Sequence, residues 1–435
     1  MAKEKPLPTD RTSRFLKMGR IVGGLAVGAL KEGANNLVAG KPLKANELLL
    51  TPENARELTN RLSEMRGAAM KVGQLLSMEA GDYLPPELTQ VLAALRESAT
   101  PMPRGQVELA MQNAWGRGWE AQFEHFTYQP IAAASIGQVH EAATYDGRKL
   151  ALKIQYPGVR KSIDSDVDNV SALFRFLRLI PQDYDIEPLL AEAKQQLHLE
   201  ADYHAEAASI EAYRQCIGAD TGFELPKVDI SRTTPELLTM SFVSGVPIET
   251  LEDAPVRHRN QIATRLVALV LREVFQWGLV QIDPHFGNYR YQTEEDRIGL
   301  LDFGATRRYT PEFIASLRRL VNAARQGNIA GIEDLAVELG YLRPDEAAPY
   351  RQGLCEMLYA VAEPLRQQGP FDFGHSDLSK RVAEHAISLR LHQRYLHFPP
   401  TDLLFLHRKF GGTYLLCARL KAEVDVNRLV EPYLH

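Results

Sequence analysis

Cysteine is scarce in this 435-residue chain: Cys216, Cys355 and Cys417 are far apart and odd in number. No CxxC pair or His/Cys cluster occurs. That excludes a disulfide framework and argues against zinc, so the three read as reduced core thiols of a cytoplasmic protein. Long hydrophobic runs are missing too. The most apolar stretch, FLKMGRIVGGLAVGAL at 15–30, carries Lys17 and Arg20. It falls short of the about 20 apolar residues that a membrane span needs, and it has no signal-peptide cleavage pattern. Its glycines are paired at small-xxx-small spacing, Gly19 with Gly23 and Gly24 with Gly28, which lets helices approach closely. The stretch reads as a helix packed on its own domain or as glycine-rich chain; the sharper alternative is membrane contact or self-association. The final LLCARLKAEVDVNRLVEPYLH cannot span either. Neither sign of charge dominates: 50 Lys and Arg face 55 Asp and Glu, for a net −5. No global basic bias points to nucleic acid.

What is present is an ordinary globular composition, 45% hydrophobic and 24% charged. The length allows several domain-sized pieces with real cores. After a polar linker at 31–50, residues 51–97 have helical periodicity, with Thr51 as N-cap, Pro52 at N1 and a stop at Pro85-Pro86. Within that run, MKVGQLLSMEAGDYLPPEL (70–88) groups Lys71, Gly73 and Gln74 at the polar head of an amphipathic helix. A helical stretch at 106–116 leads into short β-like runs, with Asp146-Gly147 as a hairpin signal. Residues 159–213 are helical in pattern, LPKVDI and ELLTMSFVSG look like strands, and the chain from 248 onward is mostly helical.

Four short motifs carry chemistry, in order. Lys153 closes a β-like run, LALKIQYP, where a lysine can hold nucleotide phosphates as a fixed positive charge. Glu206, about fifty residues on in the helical HLEADYHAEAAS, can pair with that lysine and orient it. Asp283 and Asn288 stand five apart in the turn-rich QIDPHFGN, and Asp302 follows an apolar strand in LLDFGAT. Together they have the order and spacing of the protein-kinase strand lysine, helix glutamate, D-x4-N catalytic loop and DFG. Phosphoryl transfer needs alignment and charge neutralisation more than covalent help. Lys153 would hold phosphates, Asn288 and Asp302 would offer the hard oxygens that Mg²⁺ prefers, and Asp283 would accept a proton from, or orient, an attacking hydroxyl or water.

Departures from ordinary kinases are equally plain. In place of G-x-G-x-x-G stands PIAAASIGQVHEA, with Ala132, Ala133, Ala134 and Ser135 at the phosphate cover and one glycine, Gly137. Alanine restricts the positive-φ backbone that glycine offers, so this loop should hold a nucleotide differently. There is no HRD, His285 follows Asp283 by two, and TRRYTPEF replaces the A-P-E signature. His285 is as consistent with a structural loop role as with phosphate contact. Arg307-Arg308 reads as a solvated or phosphate-near pair. FLHRKFGG (405–412) reads as a helix C-terminus with basic residues and a glycine pair.

With these motifs the chain resembles the UbiB or AarF-domain family of atypical kinase-like proteins, which includes proteins supporting coenzyme Q biosynthesis. The resemblance runs from about residue 50 to the end. It rests on K-x-G-Q at Lys71-Val72-Gly73-Gln74, the alanine-rich loop, E-x-D at Glu200-Ala201-Asp202, and D-P-x-x-x-N at Asp283–Asn288. It implies an α+β, protein-kinase-like bilobal fold with an N-terminal helical extension carrying K-x-G-Q. The expected division is 1–50 as a polar, amphipathic segment, 51–105 as the extension, 106–244 as an N-lobe with a family helical insert, and 245–435 as a helical C-lobe. By the same carry-over Lys71 and Gln74 crowd the phosphates, Gly73 belongs to that plug, and Glu200 and Asp202 sit opposite as regulatory acids.

The reading is a Mg²⁺-dependent, ATP- or ADP-binding ATPase or phosphotransferase acting in ubiquinone or other isoprenoid-lipid metabolism, with protein-kinase activity doubtful. Its expected partners are the nucleotide and an isoprenoid or phenolic lipid, with room for peripheral contact with the inner membrane and for a homodimer. Two alternatives stay open. One is a non-hydrolysing nucleotide-sensing scaffold; the other is a small-molecule kinase, against which the K-x-G-Q extension argues.

Overall fold

A computed structural model describes residues 67–73, 101–176, 186–393 and 399–434, with backbone alone at 390–393. The 15–30 stretch, the Thr51 cap, Gln74 and the Pro85-Pro86 stop lie outside the described residues. The chain divides into two compact units. One takes the residues up to Ala208 with Lys227–Phe242, the other Ser209–Pro226 and everything from Val243 on.

The first unit is built on an antiparallel sheet. Its strands are β1 (His125–Phe126), β2 (Ala132–Ala133), β3 (Gly137–Ala143), β4 (Lys149–Gln155) and, later in the chain, β6 (Leu237–Ser241). The order is β1-β3-β4-β6, with β2 added on β3. The β3–β4 hairpin turns at Asp146-Gly147, where Gly147 takes φ +81, a left-handed conformation that glycine adopts without Cβ cost. Strand β4 lies between two neighbours and is buried from Leu150 through Gln155. Against it packs helix α1 (Arg104–Trp115), whose Val107 and Met111 join Trp119, Phe123, Leu150, Leu152 and Ile154 in one core. A buried polar line crosses that core. The Met102 N–H donates to Gln138 Oε1 at 2.9 Å, Gln138 Nε2 donates to His140 Nε2 at 2.7 Å, and His140 Nδ1 donates to the Thr127 carbonyl at 2.9 Å. Burial pulls the His140 pKa down, so the neutral ring fills both roles.

Helices α2 (Val159–Phe176), α3 (Glu187–Glu200) and α4 (Tyr203–Ile217) follow β4. The expected strand at LPKVDI is not one. Pairing falls earlier, at β5 (Phe223–Glu224), and Val228 makes a single bridge to Met240. Pro226 offers no backbone N–H to a ladder.

The second unit has its own sheet, β5-β10-β9-β7, with β7 at Val246–Pro247, β9 at Tyr289–Gln292 and β10 at Arg297–Leu300. A separate ladder pairs β8 (Leu279–Gln281) with β11 (Thr306–Arg308). Helices dominate the rest. Helix α5 (Val256–Leu271) runs into a π-helical turn, Arg272–Trp277. Helix α6 (Pro311–Gln326) is capped by Thr310, with Pro311 at N1 and Gly327 at φ +70 closing it, as the capping rules lead one to expect. Then come α7 (Ile329–Glu338), α8 (Ala348–Val361), α9 (Leu378–Gln393) and α10 (Thr401–Arg419). Leu320, Ile332, Leu354, Leu389 and Leu403 form their shared core. FLHRKFGG therefore sits inside α10, not at a helix end. Among the described residues no helix is long and apolar enough to cross a membrane.

Candidate active site

Lys153 lies on the interior strand β4, facing Val139 on one side and Leu238 on the other, not on an edge where solvent would take it. Its Nζ donates to both Glu206 carboxylate oxygens, at 2.8 and 2.9 Å. The side chains are 8% and 1% exposed. The ammonium also stands over the Tyr203 ring, 5.5 Å from its centre. Glu206 is in the first turn of α4, whose start is fixed by Asp202: its Oδ1 accepts from the His204 N–H at 3.1 Å. Asp202 is thus a helix N-cap, with a looser approach to Arg160 at 3.8 Å. Gln155, two residues after Lys153, donates to the carbonyls of Ala201 at 2.8 Å and Pro235 at 3.1 Å. It ties β4 to the E-x-D turn, a job the sequence reading did not assign.

The alanine-rich loop is half strand. Ala132 and Ala133 pair with Val139 and Gln138 of β3 and are exposed, and the Ala134 N–H returns to the Gly137 carbonyl at 2.9 Å. No residue from Ala132 to Gly137 takes a positive φ. Gly137 is needed for closeness instead, because a Cβ there would lie 2.3 Å from the Ile154 carbonyl oxygen. Ser135 Oγ donates to Glu200 Oε2 at 2.9 Å, while Lys71 is ion-paired with Glu200 Oε1. One carboxylate therefore latches the K-x-G-Q segment, the alanine-rich loop and the E-x-D motif together. The helical segment 67–73 is pressed on that loop at Gly67, whose Cβ would lie 2.8 Å from Ile136 Cγ2. Lys71 is 5% exposed. Gly73 ends the described part of that segment, and Gln74 lies beyond it.

In the second unit, Asn288 Nδ2 donates to the Asp283 carbonyl at 3.0 Å and to its Oδ2 at 3.2 Å. That use of the amide nitrogen turns Asn288 Oδ1 into the remaining acceptor. The Leu301 N–H reaches the Asn288 carbonyl at 3.0 Å, and Asp302 Oδ1 accepts from the Gly304 N–H at 2.9 Å. The D-x4-N loop and the DFG turn are thereby neighbours. Phe303 is buried edge-on against Tyr213 at 4.9 Å. Two carboxamide or carboxylate oxygens fit a Mg²⁺ ion, which completes its shell with water and substrate phosphates. Among the described residues no group of three or more His, Cys, Asp or Glu is placed to hold a metal.

The contacts of Arg408 and Gln281 escaped the sequence reading. Arg408 of α10 is ion-paired with Asp283 Oδ1. Gln281 Nε2 donates to the carbonyls of both Asp283, at 2.8 Å, and Asp302, at 3.2 Å. Of the Arg307-Arg308 pair, Arg307 Nε donates to Asp402 Oδ1 at 2.6 Å and its guanidinium stacks over Phe405, while Arg308 is exposed. His285 is exposed and caps the turn Phe286–Asn288, accepting from the Gly287 N–H at 3.1 Å. The cysteines are free; Cys355 and Cys417 are buried, which pushes their thiols up to about 11 and about 12, and Cys216 is half-buried.

Comparison with known proteins places these features. Residues 94–336 match the profile of the ABC1 atypical kinase-like domain. Over 429 residues, 98% of the chain, it is 35% identical to "Atypical kinase COQ8, mitochondrial" of Saccharomyces cerevisiae and covers 85% of that protein. It is 34% identical over its whole length to "Atypical kinase COQ8B, mitochondrial" of Rattus norvegicus, covering 82% of it. The solved structure of Rv3197 in complex with erythromycin, from Mycobacterium tuberculosis, matches with a TM-score of 0.63 at 27% identity, over 88% of this chain and 96% of that one.

Proposed function

This chain belongs to the ABC1 atypical kinase-like family, the UbiB or AarF group whose motifs it carries, and has its kinase-like α+β fold; from that premise we propose that it is a Mg²⁺-dependent ATPase or phosphotransferase. The observation that carries the reading is the formed Lys153–Glu206 pair, 2.8 and 2.9 Å, on an interior strand. A decayed, nucleotide-free relative has no need to keep a lysine oriented and desolvated, which costs several kcal/mol per buried ion. Lys153 holds nucleotide phosphates, with Glu206 fixing its position. Asn288 Oδ1 and the Asp302 carboxylate would hold Mg²⁺, which would supply neutralisation of phosphate charge. Asp283, oriented by Asn288, Arg408 and the Gln281 amide, receives the proton of an attacking hydroxyl or water. The relatives named above are atypical kinases, and the resemblance points to ubiquinone or another isoprenoid lipid as the pathway served, with an isoprenoid or phenolic ligand and peripheral contact with a membrane.

A second reading is favoured by one feature. The Glu200 latch holds Lys71 and Ser135 beside the alanine-rich loop, as a nucleotide sensor with restrained turnover would. One experiment separates the two: phosphate release from Mg²⁺-ATP, with and without phenolic or anionic-lipid additions, for the wild type and Asp302→Asn. The ATPase reading expects release in the wild type that the variant lacks. Tight nucleotide binding with equal, background release in both selects the sensor.

A further inference from the structure

The second unit holds a buried charge pair that phosphate chemistry does not use. Lys409 Nζ lies 2.8 and 3.1 Å from the Glu273 carboxylate oxygens, with the side chains 1% and 0% exposed. Burial lowers the Lys409 pKa, but Glu273 and the Tyr289 hydroxyl beside it more than offset this and leave it raised. Glu273 sits in the π-helical turn after α5, and Lys409 is in the middle of α10. Stability alone is a poor reason for such a pair, since well-packed apolar residues of similar volume are often as stable or more so. What an ion pair adds is register. Sliding or rotating α10 by one residue would bury two uncompensated charges.

The contacts around the pair lead to the catalytic loop. Glu273 Oε1 accepts from the Gln281 N–H at 3.4 Å, and the Gln281 side chain holds the carbonyls of Asp283 and Asp302. On α10, Arg408 precedes Lys409 and is paired with Asp283. One turn further, Gly412 lies against Pro284. A Cβ there would fall 2.2 and 2.6 Å from the Pro284 Cγ and Cβ, so only glycine permits this approach. The helix therefore meets Asp283-Pro284 twice, once by charge and once by a contact with no side chain to spare.

We propose that Glu273, Lys409 and Gly412 are positioning residues: the buried pair sets the register of α10, and α10 in turn sets the orientation of the Asp283 carboxylate. This deepens the reading above and rests on Asp283 acting in turnover. The test uses the full chain in two variants, Glu273→Met/Lys409→Met and Gly412→Ala. It records thermal unfolding, amide hydrogen exchange over 279–290, and kcat and KM for Mg²⁺-ATP. The double variant is expected to unfold within a few degrees of the wild type, to exchange faster in 282–290, and to lose kcat roughly 10–100-fold, the scale of a small misplacement. KM should stay within about twofold, because substrate binding is untouched. Gly412→Ala should give the same split and stands in if the double variant does not fold. An unchanged kcat in a folded variant overturns the proposal, whatever the exchange shows. If the wild type itself releases no phosphate, the ATPase reading fails on its own account, and the exchange arm decides: wild-type protection of 282–290 in both variants overturns the positioning claim, and loss confined to that loop supports it.

Discussion

Each unit keeps a buried lysine–glutamate pair, and the two pairs differ in access. Lys153–Glu206 leaves its lysine 8% exposed on the strand beside the alanine-rich loop; Lys409–Glu273 is 1% and 0% exposed and walled in by Tyr289. On the reading proposed above, the same chemistry would serve as a ligand-facing charge in one unit and as an internal fastener in the other. A buried ion pair is not by itself a sign of a binding site. What marks Lys153 is its company: the Ser135–Glu200–Lys71 latch, the exposed strand of alanines, and an interior β4 position.

The sharpest way to break this comparison is to remove each lysine. Lys153→Met and Lys409→Met each strand a buried glutamate, and each should cost about 3–5 kcal/mol in denaturant unfolding. Only Lys153→Met should also lose affinity for ATP. Equal loss of nucleotide binding in both would erase the distinction. Next in size, Gly137→Ala should cost about 3 kcal/mol, since its Cβ would sit 2.3 Å from the Ile154 carbonyl and push β3 off β4. Thermal denaturation reads that directly.

A smaller effect concerns acid. His140 is buried between Gln138 and the Thr127 carbonyl, and burial lowers its pKa. The unfolded chain then binds a proton that the folded one refuses. Stability is whole above the ordinary histidine value of 6.5 and is lost as pH falls below it, read as a drop in Tm between about pH 7 and pH 5. Last, Glu200→Gln weakens the latch on Lys71 and Ser135 and should change ATP affinity by about tenfold or less, near 1 kcal/mol. Unaltered affinity would deprive the latch of any part in nucleotide binding.

The candidate catalytic set was legible because its members come in short motifs at kinase-like spacing: a lysine in a β-like run, D-x4-N, and DFG. The fold class followed from the same order. What was not legible lies in long-range pairing. Arg408 meets Asp283 from 125 residues away, and Lys409 meets Glu273 from 136; no local spacing encodes either. Their sequence, FLHRKFGG, also imitates a helix C-terminus, because basic residues before glycines are what such ends use. The glycine at 412 has another cause, the approach of Pro284. LPKVDI looked like a strand, while Pro226 offers no N–H to a ladder and only Val228 makes a single bridge. Asp202, read as regulatory on resemblance, stands in the structure as the cap of α4.

The central claim is that Lys153 contributes to holding the nucleotide and that Asn288 and Asp302 contribute to holding Mg²⁺. Isothermal titration of ATP with and without Mg²⁺ tests it most directly, on the wild type, Lys153→Met and Asp302→Asn. The account predicts tighter binding with Mg²⁺ in the wild type, weakened binding in Lys153→Met under both conditions, and loss of the Mg²⁺ effect alone in Asp302→Asn. Equal ATP affinity in all three proteins, with and without Mg²⁺, would contradict it.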